Sequence, residues 1–195
     1  FDECTSGFRE TYGGIHKNYG VNPDIIIFGK ALGNGHAINA IVGKTNIMKS
    51  CNRTFLSSTF WSERTGFSAA IKTLEIMKKK KTWKLIKNKG IYLKSKWREI
   101  ANKNNLDIEI FGLDSIPQFR FKKNHNILKT FITKEMLKRG YLASNLIYLA
   151  MPHTKKIIDK YIENLDLVFK KIFKIKNSKK EIDILEAHKE IKRLN

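Results

Sequence analysis

Residues 24–30 read DIIIFGK, four apolar residues between an aspartate and a Gly-Lys pair. A short apolar run rich in β-branched residues is typical of a buried parallel strand. Lys30 directly after this run is unusual, because burying an ammonium group is costly. Asp2 follows Phe1, which reads as the end of another strand. Ligands bind outside the carboxyl ends of strands in open α/β sheets, so Asp2 and Lys30 are predicted to lie at a binding edge.

A lysine and an acidic residue at one edge suit Schiff-base chemistry on a pyridine-containing aldehyde. A lysine that forms a Schiff base needs a neutral amine with a free lone pair, and desolvation of the ammonium group favours that form. A carboxylate at the same edge can hold a protonated pyridine nitrogen, which turns a pyridoxal ring into an electron sink. The residues alone leave the alternative of a lysine that extends from a strand end to the surface.

The net charge of +20 raises the possibility of a nucleic-acid partner. The positive residues are mostly lysines spread along the second half, for example at 78–81, 122–123 and 170–180. Lysine-rich, solvated helix faces explain such a distribution without a ligand. No Arg-rich stripe or stacking aromatic pattern supports RNA binding, so we expect no nucleic-acid partner.

Cysteine content and hydropathy indicate a reducing, non-membrane setting. Cys4 and Cys51 are too few for a disulfide framework or a four-cysteine zinc site, and no metal is expected. No run approaches eighteen apolar residues, which argues against a membrane span. We therefore expect a cytoplasmic protein. The chain begins with Phe1 rather than Met, which suggests a fragment whose N-terminal part is absent.

The pattern of elements predicts two units. Residues 1–81 read as the tail of an α/β domain, and residues 82–195 as a smaller α+β domain with a lysine-rich helical tail. Thr154 is a fair N-cap and Gly140 a plausible C-cap. The predicted strands are 24–28, 37–43, 106–111 and 115–121, with short extended pieces over 141–149. The predicted helices are 68–79, 83–104, 127–139, 154–173 and 180–194.

Two nucleotide-binding motifs are incomplete. The run VGKT at residues 42–45 resembles the end of a P-loop, and Gly33-Asn34-Gly35 could open a dinucleotide fingerprint. Both motifs need a glycine at position 38, which is Ile38. A nucleotide site is therefore not predicted.

Three longer motifs carry a family resemblance. They are DECTSGFR at residues 2–9, YGVNPD at 19–24 and FGKALGNG at 28–35. They resemble the class III pyridoxal-phosphate (PLP) aminotransferases, and within them most closely the glutamate-1-semialdehyde 2,1-aminomutases. The resemblance extends over roughly residues 1–170. It implies the C-terminal part of a fold-type I PLP-dependent transferase: the end of the large mixed or parallel-sheet domain plus a small α+β domain.

The resemblance also implies roles for individual residues. Lys30 matches the lysine that forms the Schiff base with PLP and moves the substrate proton. Asp2 matches the carboxylate that pairs with the pyridine nitrogen, and Cys4 matches a side chain that packs on the ring. Thr59, assisted by Ser58, matches the threonine that reaches the PLP phosphate of the neighbouring subunit. The family thus implies a homodimer that acts on small amino or keto substrates.

The chain also departs from the family pattern. The segment that carries the phosphate loop and the ring-stacking aromatic is not in this sequence. Residues 36–39 (HAIN) and 57–64 (SSTFWSER) differ from the aminomutase pattern, so an amino shift within one molecule and an ordinary transamination both stay open. The alternatives to an active aminotransferase are a basic nucleic-acid module and an inactive remnant. Further candidate site residues, each with an ordinary structural role as the alternative, are His36, Glu63, Arg64 and His153.

Overall fold

The computed structural model describes residues 1–177 and divides the chain into two compact units. The first unit is Phe1–Lys87 and the second begins at Asn88. The division falls within one long helix, Thr82–Lys103, six residues after the domain boundary predicted at residue 81. The predicted domain boundary stays a prediction. The predicted helix at 180–194 and the lysine-rich tail lie outside the described residues.

A small sheet organises the first unit. Strand β1 (Ile25–Phe28) pairs antiparallel with strand β2 (Ala40–Gly43). On its other side, β1 forms a parallel bridge between Ile27 and Asp2. The amide of Glu3 donates to the carbonyl of Ile27 at 2.9 Å, and the amide of Ile27 donates to the carbonyl of Phe1 at 2.9 Å. The first residues of the chain therefore lie beside β1 and run in the same direction.

Helices and turns complete the first unit. The 3-10 helices are Ile15–Tyr19 and Lys49–Arg53, and the α-helices are α1 (Thr45–Met48) and α2 (Arg64–Lys80). Helix α2 begins where Glu63 accepts hydrogen bonds from the amides of Thr65 (3.0 Å) and Gly66 (3.3 Å). Such caps satisfy amides that have no partner within the helix. The core under the sheet consists of Phe28, Leu32 and Ala70.

The second unit packs helices against a two-stranded hairpin. Helix α3 (Thr82–Lys103) leads into strands β3 (Ile108–Phe111) and β4 (Gln118–Phe121), which pair antiparallel. Helices α4 (His125–Leu137) and α5 (Lys155–Asn177) follow. Thr154 caps α5 as expected, because its hydroxyl accepts from the amide of Ile157 at 3.3 Å. The four predicted strands and the predicted helices at 68–79, 83–104, 127–139 and 154–173 are thus confirmed, with ends shifted by a few residues.

Aromatic side chains fill the core of the second unit. Phe119 is fully buried, and its ring centroid lies 4.9 Å from Trp97 and 5.9 Å from Phe169. Edge-to-face arrangements of this kind add to the stabilisation that burial provides. The buried carboxylate of Glu135 accepts from Lys138 (2.8 Å), Lys171 (2.6 Å) and Arg139 (3.2 Å). Three cations thus compensate one carboxylate that has lost most of its water.

Two expectations need correction. The strand at 24–28 is not enclosed by parallel neighbours, since β2 is antiparallel and Ile25 keeps 37% of its surface exposed. A β-branched run reports strand propensity, and it does not report the direction of the neighbouring strand. The extended pieces predicted at 141–149 form no strand but one isolated bridge, between Gln118 and Leu146. Backbone hydrogen bonds also join Asn145 to Phe119, Ile147 to Pro117 and Leu149 to Ser115, along the edge of β4 that β3 does not occupy.

Over residues 1–177, none of the helices combines the length and the apolar character that crossing a bilayer requires.

Candidate active site

Lys30 stands just beyond the carboxyl end of β1. Its backbone is in the left-handed region with φ of 38°, which costs energy for a residue with a side chain. The side chain is exposed, and its Nζ donates a hydrogen bond to the hydroxyl of Thr5. Residues held in this region are frequent at active sites, so the backbone geometry adds to the signal from the sequence.

Asp2 presents its carboxylate at the same edge. Its Oδ1 accepts from the amide of Cys4 at 2.9 Å. That hydrogen bond, aided by the positive charge of Lys30, holds the pKa of Asp2 below its ordinary value. Asp2 is therefore an exposed, ionised carboxylate within electrostatic reach of the Lys30 amine.

Cys4 lies beside Asp2 and beside Gly29, the residue that precedes Lys30. It is a free, half-buried thiol. Burial, followed by the hydrogen-bonded carboxylate of Asp2, raises the pKa of the Cys4 thiol, so the sulfur stays neutral at pH 7. A Cβ placed at Gly29 would lie 3.4 Å from Cys4 Sγ and would clash with the side-chain oxygen of Asn39. The absence of a side chain at Gly29 thus leaves room for Cys4 and Asn39 beside Lys30.

The two hydroxyls predicted to contact phosphate do not join this cluster within residues 1–177. Ser58 bonds only within its own turn: its carbonyl accepts from Trp61 at 3.2 Å and its hydroxyl from Phe60 at 3.4 Å. Thr59 is exposed. The surrounding segment, residues 54–63, also exposes large apolar side chains, namely Phe55, Leu56, Phe60 and Trp61.

Among the remaining candidates, Glu63 and His153 have local structural partners. His36 is exposed in the turn after Lys30, and Arg64 is exposed at the first position of α2. Glu63 caps α2, and the hydrogen bonds from Thr65 lower its pKa. In the second unit, His153 Nδ1 accepts from the amide of Ala150 at 3.0 Å, and burial together with Lys89 lowers the pKa of this histidine. His153 borders an apolar cleft of about 290 Å³.

Sequence reasoning missed three residues around the cluster. Thr5 contacts the Lys30 amine, Asn39 lies beside Gly29, and Glu3 is buried with 3% of its surface exposed. The Glu3 carboxylate accepts from His16 Nδ1 at 2.7 Å, from the His16 amide at 3.1 Å and from the Ile15 amide. Burial opposes ionisation of Glu3, but the hydrogen bonds from His16 outweigh it and leave its pKa lowered.

The geometry combines an accessible primary amine, an ionised carboxylate and a neutral thiol at one sheet edge. The family model for class III aminotransferases matches residues 1–169. The chain therefore belongs to the class III aminotransferase family. This confirms the family and the fold class that the motifs predicted.

Two relatives illustrate the range of the family. A 3-aminobutyryl-CoA aminotransferase from Cloacimonas acidaminovorans is 38% identical over 125 residues, covering 64% of this chain and 30% of the relative. A glutamate-1-semialdehyde 2,1-aminomutase from Natranaerobius thermophilus is 27% identical over 191 residues, covering 88% of this chain and 44% of the relative. The chain thus spans less than half the length of these relatives.

A solved structure shows the same fold. The FumI protein of Sphingopyxis sp. MTA144, solved in its PLP internal aldimine form, has a TM-score of 0.85 and 22% identity. The match covers 96% of this chain and 44% of FumI. The mixed helix and sheet architecture is therefore that of part of a PLP-dependent transaminase fold.

Proposed function

We propose that the protein transfers amino groups with PLP as cofactor, and that Lys30 is the residue that binds the PLP aldehyde carbon. The observation that carries this proposal is the convergence of the Lys30 amine and the Asp2 carboxylate at one strand edge, in a chain of the class III family. The family match does not favour the alternative of a basic nucleic-acid module.

The chemistry of the cluster fits PLP. A pyridine nitrogen needs an anionic partner that keeps it protonated, and Asp2 is ionised and exposed. An aldehyde carbon needs a primary amine, and Lys30 offers one that is exposed and oriented by Thr5. A flat ring needs an uncharged side chain against one face, and Cys4 is neutral. Bound PLP supplies the electron sink that stabilises negative charge on the substrate carbon.

Each side chain then has a separate task. Asp2 keeps a proton on the ring nitrogen, and Cys4 limits tilting of the ring. Lys30 would hold the cofactor through its amine, and the same amine would act as the base and acid that moves the proton of the substrate carbon. Thr5 accepts a hydrogen bond from the Lys30 amine and so sets the direction of its approach.

The proposal includes a homodimer with shared sites. Ser58 and Thr59 lie on an exposed segment, as expected if their hydroxyls serve the phosphate of a neighbouring subunit. The exposed Phe55, Phe60 and Trp61 beside them would be buried in such an interface. We also propose that the protein works in the cytoplasm, on small amino and keto compounds.

The direct test is a substrate panel on the full-length protein loaded with PLP. Glutamate-1-semialdehyde would be supplied alone, and a β-amino acyl thioester and common amino acids would each be supplied together with an α-keto acid as amino acceptor. Amino-group transfer would be followed by mass spectrometry. Transfer from at least one of them supports the proposal. Product from glutamate-1-semialdehyde alone indicates the internal amino shift, and transfer between two compounds indicates a transaminase. No PLP binding and no transfer would overturn the proposal.

A further inference from the structure

Glu3, the residue after Asp2, holds the backbone of this segment from the face opposite to the Asp2 side chain. Successive side chains of an extended chain point to opposite faces, and here Asp2 is exposed while Glu3 is buried. The Asp2 side chain itself accepts one short-range hydrogen bond, from the amide of Cys4. The orientation of its carboxylate therefore depends on how firmly residues 2–4 are held.

Glu3 holds that segment at five points. Its amide donates to the Ile27 carbonyl at 2.9 Å, and its carbonyl accepts from the Gly7 amide at 2.8 Å. Its carboxylate accepts from the amides of Ile15 and His16 at the start of the 3-10 helix, and from His16 Nδ1 at 2.7 Å. Because a carboxylate accepts, Nδ1 of His16 carries the proton in this contact.

The surroundings are shaped for this carboxylate. The side chains of Glu3 and His16 are only 3% and 10% exposed, so water does not compete for the contact. A Cβ at Gly14 would lie 2.9 Å from the Glu3 carboxylate and would clash with the His16 ring. Glycine at position 14 thus permits the close approach of Glu3 to His16.

We propose that Glu3 and His16 are positioning residues for Asp2, which together fix the backbone of residues 2–4 so that the Asp2 carboxylate faces the ring nitrogen of PLP. This inference rests on the proposed function. Neither side chain touches the cofactor, because both lie on the face of the segment opposite to Asp2. Their effect is transmitted through one residue of backbone.

The test uses full-length protein loaded with PLP that carries ¹⁵N at the ring nitrogen. The ¹⁵N chemical shift reports whether the nitrogen is protonated, and Asp2→Asn provides the endpoint for a lost carboxylate. Glu3→Ala and His16→Phe are expected to move the shift towards that endpoint and to weaken PLP binding about tenfold, the lower end of the effect of orienting partners at metal sites. His16→Asn, which restores a side-chain N–H donor to Glu3, should return the shift towards wild type.

Glu10→Ala is the matched control. Glu10 belongs to the same unit, its side chain is 6% exposed, and its Oε2 lies 3.8 Å from Lys87 Nζ. This variant should keep the wild-type shift. The inference is wrong if folded His16→Phe keeps the wild-type shift, or if Glu10→Ala moves it as far as Glu3→Ala does. His16→Phe alone decides the matter if Glu3→Ala does not fold. A wild-type protein that binds no PLP would instead overturn the proposed function itself.

Discussion

Asp2 forms a parallel bridge with Ile27, and Ile27 lies three residues before Lys30. This register brings the Asp2 carboxylate and the Lys30 amine to the same edge of the sheet. The charge of Lys30 contributes to the lowered pKa of Asp2, so the two groups act on each other in the folded chain. A pyridoxal ring placed there would have its nitrogen near one group and its aldehyde near the other.

Removing the charge of Asp2 tests the role of the carboxylate. Asp2→Asn keeps the shape of the side chain but cannot stabilise a protonated ring nitrogen. We expect a loss in kcat of about 10²-fold or more, the scale on which losing one electrostatic partner of the reacting group slows an enzyme. Asp24→Asn is the control, because Asp24 is an exposed partner of Lys44 in the same unit. Comparable losses in the two variants would count against a specific role for Asp2.

Sharing of sites between subunits can be tested by mixing two inactive variants. Lys30→Ala removes the amine, and Thr59→Val removes the hydroxyl proposed to reach the other subunit. In a symmetric dimer, random mixing makes half of the dimers mixed, and each mixed dimer regains one intact site. We expect about a quarter of wild-type activity. If Thr59 serves the site of its own chain, mixing will restore nothing.

The ion-pair cluster around Glu135 predicts a pH dependence of stability. Hydrogen bonds from Lys138 and then Lys171 lower the pKa of Glu135 from 4.5 to about 2. A carboxyl group whose pKa is lower in the folded than in the unfolded protein stabilises the fold at pH values above the unfolded pKa. This contribution disappears as the pH falls from 4.5 to about 2. Glu135→Gln should cost about 1–3 kcal/mol at pH 7 and little at pH 2.

The measurement is urea unfolding of both proteins across this pH range. Glu99→Gln is the control, since Glu99 is 63% exposed in its pair with Lys96 and should contribute less than about 1 kcal/mol. A Glu135→Gln penalty that stays constant between pH 7 and pH 2 would show that the cluster does not act through ionisation of Glu135.

The aromatic core of the second unit predicts a large cost for truncation. Phe119 has no exposed surface and contacts the rings of Trp97, Phe121 and Phe169. Phe119→Ala should lower the free energy of unfolding by about 3–5 kcal/mol. Leu142→Ala, at a side chain that is 94% exposed, should change it by less than about 0.5 kcal/mol. Similar values for the two variants would mean that Phe119 is not part of a packed core.

The sequence predicts local features of the site well. Lys30 follows a recognisable apolar run, and the Thr154 cap marks the start of α5, so both positions are readable from neighbouring residues. The partners of these residues are harder to predict. Thr5 lies 25 positions from Lys30, and Glu3 lies 13 positions from His16. Such contacts depend on the register between distant segments, which no local pattern encodes.

The same reasoning explains the errors. The residue types in β1 predict a strand, but they do not encode the direction of its neighbour β2, which pairs antiparallel with it. A buried glutamate also has no signature of its own, because glutamate is usually exposed. Gly14, which makes room for Glu3 and His16, reads in the sequence only as a loop residue.

Chemical trapping of the cofactor tests the central proposal most directly. Full-length protein incubated with PLP would be freed of unbound PLP, reduced with borohydride, digested and mapped by mass spectrometry. We predict one pyridoxyl group, attached to Lys30, and no label at all in Lys30→Ala. Lys44, which pairs with Asp24 at the other end of β1, should carry no label in wild type. A pyridoxyl group on another lysine of the wild-type protein, or a Lys30→Ala protein that still forms a reducible adduct, would contradict the assignment of Lys30.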